Sequence, residues 1–210
     1  IKLPSFSKQN FGAEVFIASG GLFAGRLIIS DTLKSDAAEA VKRLKSMGLY
    51  TVMLTGDSKD SAEEVAEKTG IDEVHAKLLP QDKLSILTEV RSRHGSVMFV
   101  GDGINDAPVL AGADVGAAMG SGADAAIEAA DAVFMNTGAV SIPDAISIAK
   151  RTGRIAMQNV VFALAVKAVV MLLGIAGFAN MWLAVFADSG VAMLCVLNSV
   201  RILYQSREKK

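Results

Sequence analysis

Short apolar runs alternate with amphipathic stretches along the first two thirds of the 210-residue chain. The amphipathic stretches predict helices, and Ser35 can cap one of them over residues 36–47. Ser58 can open another that ends before Gly70, and a third covers residues 81–93. The apolar runs are short enough to be strands, at about residues 50–54, 73–75, 97–100, 114–118 and 131–134. Strands that alternate with helices predict an α/β fold with a parallel, doubly wound sheet.

Two long apolar segments follow, at about residues 155–178 and 181–203. Each exceeds the roughly 20 apolar residues that a helix needs to cross about 30 Å of hydrocarbon. They explain why the mean hydropathy reaches +0.40 although 20% of the residues are charged. The pattern therefore predicts a two-helix transmembrane hairpin after the α/β domain.

Basic residues flank this hairpin at both outer ends, whereas the link around residues 179–180 carries no charge. The flanking residues are Arg151, Arg154, Arg201, Arg207, Lys209 and Lys210. The positive-inside rule puts both outer ends in the cytoplasm. We therefore expect an integral protein of the plasma (inner) membrane, embedded in the lipid bilayer, with its α/β domain in the cytoplasm. The net charge of −1 argues against a nucleic-acid partner.

Two carboxylates and an amide follow the strand predicted at residues 97–100. They are Asp102, Asn105 and Asp106, in the run Val-Gly-Asp-Gly-Ile-Asn-Asp-Ala-Pro over residues 100–108. A small hard cation prefers one or two carboxylates together with phosphate oxygens and water. The turn is therefore suited to holding a divalent cation against a phosphate.

Two more polar groups accompany this turn. Thr55-Gly56-Asp57 follows the strand at residues 50–54, and Lys83 lies in the first turn of the helix that Pro80 opens. Alone, Thr-Gly-Asp is a common strand-to-turn sequence, and a lone Lys83 would most often be a solvated helix residue. The three pieces in this order resemble the haloacid-dehalogenase-type phosphorylation domain of P-type ATPases.

The resemblance implies phosphoryl transfer from ATP through an aspartyl-phosphate intermediate, with Mg²⁺ as cofactor. Such a site needs hydrogen-bond donors and cations around the transferring group, because negative charge spreads over its oxygens. Thr55 and the amide of Gly56, in the motif that ends at Asp57, would hydrogen-bond those oxygens.

The resemblance also assigns roles to the other two pieces. Lys83 would add a positive charge at the phosphoryl group, and Asp106 would orient Lys83. Asp102 would bind Mg²⁺, and Asn105 would hydrogen-bond the phosphate.

The nucleophile of that family, an aspartate in an Asp-Lys-Thr-Gly-Thr sequence, has no match in this chain. The Thr-Gly-Glu loop and a Cys-Pro-Cys motif have none either, and Ile1 is not an initiator methionine. We therefore expect the C-terminal portion of a longer pump, whose partner is the missing N-terminal portion. The chain alone is not expected to hydrolyse ATP.

Three regions are expected on this basis. Residues 1–27 would be the end of a nucleotide-binding insert, with strands at about 14–18 and 22–30. Residues 28–140 would be the phosphorylation domain without its nucleophile strand, and residues 141–210 a linker helix, two spans and a basic tail. Asp31 is either part of an Asp-x-x-Lys turn that re-enters this domain or a simple N-cap acid.

Lys167 lies near the middle of the first predicted span, and Asp188 lies within the second, well before Arg201 near its end. An intramembrane charge is costly, so each indicates a functional site by default. The alternative is a structural interhelical ion pair. On the functional interpretation, Asp188 binds a divalent ion such as Zn²⁺ and Lys167 takes its place after the ion leaves.

Asn159, Lys167 and Asp188-Ser189-Gly190 are similar to the last two membrane helices of the zinc/cadmium/lead-exporting subgroup of these pumps. That resemblance implies export of Zn²⁺, Cd²⁺ or Pb²⁺, because a carboxylate favours a divalent ion over Cu(I). Cys195, the single cysteine, is a packing residue or a transient soft ligand. The alternative function is a non-catalytic, membrane-tethered regulatory or assembly module, and a soluble phosphatase ranks third.

Overall fold

The computed structural model describes residues 13–29, 32–136, 138–178 and 180–205. The chain divides into two units, the first ending at Pro143 and the second beginning at Asp144. Each unit contains one of the two kinds of structure that the hydrophobic pattern predicts. Asp31 and most of the basic tail lie outside the described residues.

Short strands alternate with helices in the first unit. The strands are β1 (Ala13–Ser19), β2 (Leu22–Ile29), β3 (Val52–Leu54), β4 (Glu73–His75), β5 (Met98–Gly101), β6 (Val115–Met119) and β7 (Ala132–Phe134). The helices are α1 (Ala37–Ser46), α2 (Lys59–Thr69), α3 (Pro80–His94), α4 (Ala107–Gly112) and α5 (Asp124–Ala129), with a 3-10 turn at Ile104–Asp106. The predicted α/β alternation is confirmed, and so are the strands on either side of Gly20-Gly21.

The parallel strands form two sheets among the described residues. One has the order β5-β6-β7 and the other pairs β3 with β4, while β1 and β2 form an antiparallel hairpin. The prediction of parallel strands is confirmed. The described parallel strands hydrogen-bond in two groups, because none of them pairs both with β3 or β4 and with β5, β6 or β7.

The core of the larger sheet lies around its middle strand. Ala117 and Ala118 of β6 are fully buried, and since successive side chains point to opposite faces, both faces of this strand are covered. Val109 and Leu110 of α4 and Ala126 of α5 are also fully buried. Burial on both faces is the pattern of a doubly wound parallel sheet.

The two predicted helix caps have different outcomes. Ser58 caps α2, because its hydroxyl accepts a hydrogen bond from the Ser61 amide at 3.3 Å. The prediction of Ser35 as a cap was wrong, since Asp36 occupies the N-cap position of α1. The Asp36 carboxylate accepts a hydrogen bond from the amide of Val140 at 3.1 Å instead.

Glu73 is the centre of a polar cluster on β4. Its carboxylate accepts hydrogen bonds from Arg93 at 2.8 Å and Tyr50 at 3.1 Å, and its Oε1 lies 2.7 Å from His75 Nε2. The pKa of Glu73 is lowered to about 2, chiefly because Arg93 donates to the ionised form; desolvation opposes this shift, and the bonds from His75 and Tyr50 add to it. The ionised carboxylate therefore ties β4 to α3.

We expect stability from this cluster above pH 4, with loss as the pH falls toward 2. The sign follows because the pKa of the folded state lies below the unfolded value of about 4.3 for glutamate. Glu73→Gln should lower the free energy of unfolding by about 1 kcal/mol at pH 7 and flatten its dependence on acid pH. Thermal unfolding in mild detergent, followed by circular dichroism at pH 7 and pH 3, measures both. Glu89→Gln is the matched control, because Glu89 lies 3.7 Å from the same arginine but is 62% exposed.

Long apolar helices make up the second unit. They are α6 (Ser141–Ile175), α7 (Met181–Val185) and α8 (Val191–Gln205), with a π-helical turn at Phe186–Gly190 between the last two. The segments 141–175 and 181–203 have mean hydropathies of 2.0 and 1.8 in their most apolar windows, of which only 6% and 11% is buried. A core helix of a soluble domain would be mostly buried, so these helices are membrane spans and the predicted hairpin is confirmed.

Candidate functional site

The turn after β3 contains the Thr-Gly-Asp motif. The Thr55 hydroxyl donates to Asp57 Oδ2 at 2.7 Å and accepts from the Asp57 amide at 3.1 Å. The Thr55 amide donates to the His75 carbonyl at 2.9 Å, which fixes the turn at the carboxyl end of the β3–β4 pair. The Gly56 N–H has no acceptor among the described residues. It is therefore a free donor where open α/β sheets place their ligands.

Backbone contacts connect this turn to the start of α3. The Leu78 amide donates to the Thr55 carbonyl at 3.1 Å, and the Lys77 amide donates to the Asp57 carbonyl at 2.9 Å. The Asp82 carboxylate then accepts from the Leu79 amide at 2.9 Å and caps α3. The first turn of α3 is thereby held against the Thr-Gly-Asp turn.

Lys83, in that first turn, forms a partly buried ion pair with Asp106. The Nζ and Oδ1 atoms are 2.7 Å apart, and the side chains are 17% and 11% exposed. The other oxygen of Asp106 accepts from the Gly103 amide at 3.2 Å, so the carboxylate is anchored to its own turn. Because Asp106 is held in this way, it limits where the ammonium group can point. The ion pair therefore joins the first turn of α3, which contains Lys83, to the turn that contains Asp102 and Asp106.

Asp102 occupies a different position in the same turn. Its side chain is exposed, and no described residue hydrogen-bonds or pairs with its carboxylate. Its backbone carbonyl accepts from the Ala123 amide at 2.9 Å. A Cβ on Gly122 would lie 2.7 Å from that carbonyl oxygen, so only glycine permits this close approach. Asp102 is thus fixed through its backbone while its carboxylate stays available.

Sequence reasoning assigned no chemistry to the segment that holds Asp102. The small residues Gly120, Ser121 and Gly122 permit close backbone packing, but the sequence alone does not identify the partner of that packing. The structure places Gly122 and Ala123 against the Asp102 backbone. A glycine two residues after another small residue could have indicated a close approach, but not to which turn. Asn105 lies on the exposed side of the turn with no side-chain partner among the described residues.

Lys167 of the first span and Asp188 of the second face each other. Lys167 Nζ lies 3.4 Å from Asp188 Oδ1, and the side chains are 57% and 79% exposed in this chain. Asp188 lies on the π-helical turn, a distortion that is frequent at functional sites. A Cβ on Gly190 would lie 2.6 Å from the Phe186 ring, so the ring folds against the backbone of this turn. The structure therefore brings together Lys167 and Asp188 but leaves most of both side chains uncovered.

Cys195 does not join this pair. Its thiol contacts the backbone carbonyl of Asn159 at 3.7 Å, and its own carbonyl accepts from the Asn159 side chain at 3.2 Å. Among the described residues, no group of three or more histidine, cysteine or acidic side chains could hold a metal ion.

The family described as haloacid dehalogenase-like hydrolase matches residues 4–114, slightly more than half of the chain. The chain belongs to this family. A second family of the same description matches residues 84–146. The parallel strands are accordingly those of a haloacid dehalogenase-like domain.

Similar proteins carry both this domain and the membrane helices. The chain is 51% identical over 200 residues to the cadmium, zinc and cobalt-transporting ATPase of Bacillus subtilis (strain 168), covering 93% of the chain and 28% of that protein. It is 48% identical over 195 residues to the zinc-transporting ATPase of Synechocystis sp. (strain ATCC 27184 / PCC 6803 / Kazusa), covering 91% of the chain and 27% of that protein. The chain thus spans little more than a quarter of the length of these relatives.

A solved structure is similar along nearly the whole chain. It is a crystal structure of a zinc-transporting PIB-type ATPase in the E2.Pi state, with a TM-score of 0.82 and 37% identity, covering 90% of this chain and 31% of that one. The predicted resemblance to zinc- and cadmium-transporting P-type ATPases is therefore confirmed, and so is the predicted fold class. Cobalt, which one relative's name adds, was not predicted.

The haloacid dehalogenase-like domain was also predicted to hold Mg²⁺ at Asp102. The donor chemistry fits, because the Asp102 carboxylate is exposed and has no protein partner among the described residues. Mg²⁺ keeps several waters and binds through one or two carboxylates plus substrate phosphate, so one free carboxylate suits it. Asp106 fits less well as a ligand, since both of its oxygens already accept hydrogen bonds.

Proposed function

We propose that the complete protein exports a divalent heavy metal, Zn²⁺, Cd²⁺ or Pb²⁺, across the plasma (inner) membrane at the expense of ATP. The reaction passes through an aspartyl-phosphate whose aspartate is not in this chain. The chain contributes part of the phosphorylation site and part of the metal pathway, with the haloacid dehalogenase-like domain in the cytoplasm. The names of the relatives support this proposal, and the contact between Lys167 and Asp188 carries it.

The exposure of that pair means that the described helices alone do not enclose the two charges. A charged side chain facing hydrocarbon is expensive, and here the two are 57% and 79% exposed. In the membrane, further helices or a water-filled pathway must therefore cover them. A carboxylate on such a pathway can bind Zn²⁺ or a similar ion, and the ammonium group 3.4 Å away can neutralise it once the ion has left.

The cytoplasmic motifs supply the phosphoryl-transfer half. The Gly56 N–H is free to donate to a phosphoryl oxygen, and the Thr55 hydroxyl can do so by turning away from Asp57. Lys83, directed by Asp106, offers a positive charge, and Asn105 offers an uncommitted amide. Mg²⁺ bound at Asp102 would neutralise charge on the phosphoryl oxygens. These groups together stabilise charge without displacing one another.

The regional boundaries belong to the same proposal. Residues 1–27 end the nucleotide-binding insert, residues 28–140 form the phosphorylation domain, and residues 141–210 hold the linker helix, the spans and the tail. The 35-residue α6 is about 50 Å long at about 1.5 Å per residue, more than the roughly 30 Å of hydrocarbon. Its first part, including Arg151 and Arg154, therefore extends beyond the hydrocarbon as a linker.

The direct test is ATP hydrolysis by the complete protein in proteoliposomes, with each metal ion added in turn. We expect turnover to be stimulated by Zn²⁺, Cd²⁺ or Pb²⁺ and not by Cu(I), with metal moved across the membrane in proportion to ATP hydrolysed. Metal binding without turnover would favour the regulatory module. Phosphatase activity independent of heavy metal would favour the soluble-phosphatase interpretation and contradict the proposal.

Lys83→Ala should slow phosphorylation of the complete protein by about a hundredfold or more. A charge directed at the transferring group contributes about 3 kcal/mol or more in a water-poor site. Incorporation of radiolabelled phosphate from ATP into acid-stable protein measures the effect. Lys77→Ala is the control, because Lys77 enters the same loop through its backbone only. Near-normal labelling of Lys83→Ala would reduce Lys83 to a structural partner of Asp106.

A further inference from the structure

A cluster of polar side chains joins α6 to α8 inside the hairpin. Asn159 Nδ2 donates to the Ser199 hydroxyl at 2.9 Å and to the Cys195 carbonyl at 3.2 Å. Asn159 Oδ1 accepts from Asn198 Nδ2 at 2.8 Å. The Ser199 hydroxyl in turn donates to the Cys195 carbonyl at 2.9 Å. Asn159, Cys195, Asn198 and Ser199 are called the polar clamp below.

We infer that the polar clamp fixes the axial register of α6 against α8 and thereby holds Lys167 opposite Asp188. The inference rests on the proposed function, because the pair matters only if it takes part in metal transport. Asn159, Asn198 and Ser199 are then positioning residues. Their side-chain hydrogen bonds in the described structure join one another and the Cys195 carbonyl, and none of them goes to Lys167 or Asp188.

The hydrogen bonding of Asn159 is what makes the clamp specific. Both of its N–H groups and its carbonyl oxygen are used, and all three partners lie on α8. A shift of one residue moves a helix by about 1.5 Å along its axis, which takes bonds of 2.8 to 3.2 Å out of range. In hydrocarbon, no water replaces a lost partner. Every other register therefore leaves several polar groups unpaired at once.

The surrounding side chains provide no comparable constraint. The neighbours of Asn159 on α6, Val160 and Val161, are apolar and exposed, as are Val196 and Leu197 on α8. Aliphatic side chains pack by contact alone and do not have directional partners. Among the described residues, the polar clamp therefore adds directional constraints on register that these aliphatic neighbours lack.

The clamp and the charged pair are close enough for one to set the other. Lys167 follows Asn159 by eight residues on α6, and Cys195 follows Asp188 by seven residues on the opposite helix. At about 1.5 Å per residue, both separations are about 10 to 12 Å. A slide at the clamp is thus transmitted to the pair, where a shift of one helical turn, about 5.4 Å, would separate the 3.4 Å contact.

The first experiment measures register without requiring transport. In the complete protein with its other cysteines replaced by alanine, Lys167→Cys and Asp188→Cys supply two thiols for a short bifunctional maleimide. Asn159→Leu should reduce cross-linking at least fivefold, because the thiols no longer face each other. Gln158→Leu, the same kind of change one residue earlier, has no described partner on α8 and should leave cross-linking unchanged. Equal cross-linking in the two variants would overturn the inference.

The second experiment uses the active protein. Asn159→Leu should lower Zn²⁺-stimulated turnover per folded molecule about tenfold, and Lys167→Ala added to it should change turnover less than twofold, since the pair is already broken. If the fold losses in turnover from Asn159→Leu and Lys167→Ala multiply in the double variant, the two substitutions act independently. The clamp would then only stabilise the fold. If Asn159→Leu does not fold, Ser199→Ala removes one acceptor and should give a smaller loss of cross-linking, and no loss would overturn the inference. Absence of Zn²⁺ stimulation in the unmodified protein would refute the proposed function, while cross-linking would still report the register.

Discussion

Asp188→Ala is expected to eliminate Zn²⁺-stimulated ATP hydrolysis and metal tolerance in the complete protein. The substitution removes the single carboxylate between residues 155 and 203 and leaves Lys167 as an unpaired charge in the membrane. Lys167→Ala should be milder for binding but should impair release, because the ion then has no competitor for Asp188. Zn²⁺ stoichiometry and Zn²⁺-stimulated turnover of purified protein measure these effects separately.

The double variant Lys167→Ala/Asp188→Ala distinguishes a metal site from a structural ion pair. If the 3.4 Å contact serves only to neutralise two charges, removing both should restore folding and transport. If Asp188 holds the ion, the double variant should stay inactive although it folds. Asn180→Gln is a useful control, since Asn180 caps α7 through its side chain and does not contact the pair. Recovered transport in the double variant would place the metal elsewhere.

Sequence pattern was sufficient for the elements of this fold but not for all of their pairing. The positions and lengths of the apolar runs in the sequence locate β5, β6 and β7 to within a residue or so, because each strand is a short apolar run between polar residues. Pairing depends on residues far apart in the chain, so it leaves no local signal in the sequence. The β3–β4 pair and the β5–β6–β7 sheet are not hydrogen-bonded to each other. This separation is consistent with the expectation that a nucleophile strand is missing. That expectation remains a prediction.

The candidate site shows a similar limit. The resemblance to the family predicted that Asp106 orients Lys83. The 2.7 Å ion pair between them forms because the two turns that contain these residues lie side by side. The bond between Thr55 and Asp57 was not foreseen, although a threonine two residues before an aspartate in a turn often bonds locally. The polar clamp was also missed, because asparagine and serine carry no charge and stood out less than Lys167. Side chains whose role is defined by a partner on another helix cannot be assigned from one segment alone.

Asp102→Asn is expected to lower Mg²⁺-dependent ATP turnover of the complete protein by about a hundredfold or more while leaving the fold intact. An amide is a neutral ligand, so the substitution removes the main anionic contact of a hard cation. The fold should persist because the Asp102 carboxylate has no hydrogen-bond or ion-pair partner among the described residues. The substitution therefore leaves no buried group without a hydrogen-bond partner. The backbone contacts of Asp102 with Gly122 and Ala123 are unaffected by a change in the side chain.

The measurement compares ATP turnover over a range of Mg²⁺ concentrations for the unmodified protein and for Asp102→Asn, with thermal unfolding as the check on folding. Asp60→Asn is the matched control, since Asp60 is also an exposed carboxylate but lies in the first turn of α2. A loss that high Mg²⁺ partly restores would indicate weakened binding of the cation. Undiminished turnover at low Mg²⁺ would remove Asp102 from the metal site, and Asp106 would then be the carboxylate to test, even though Lys83 and Gly103 already occupy its oxygens.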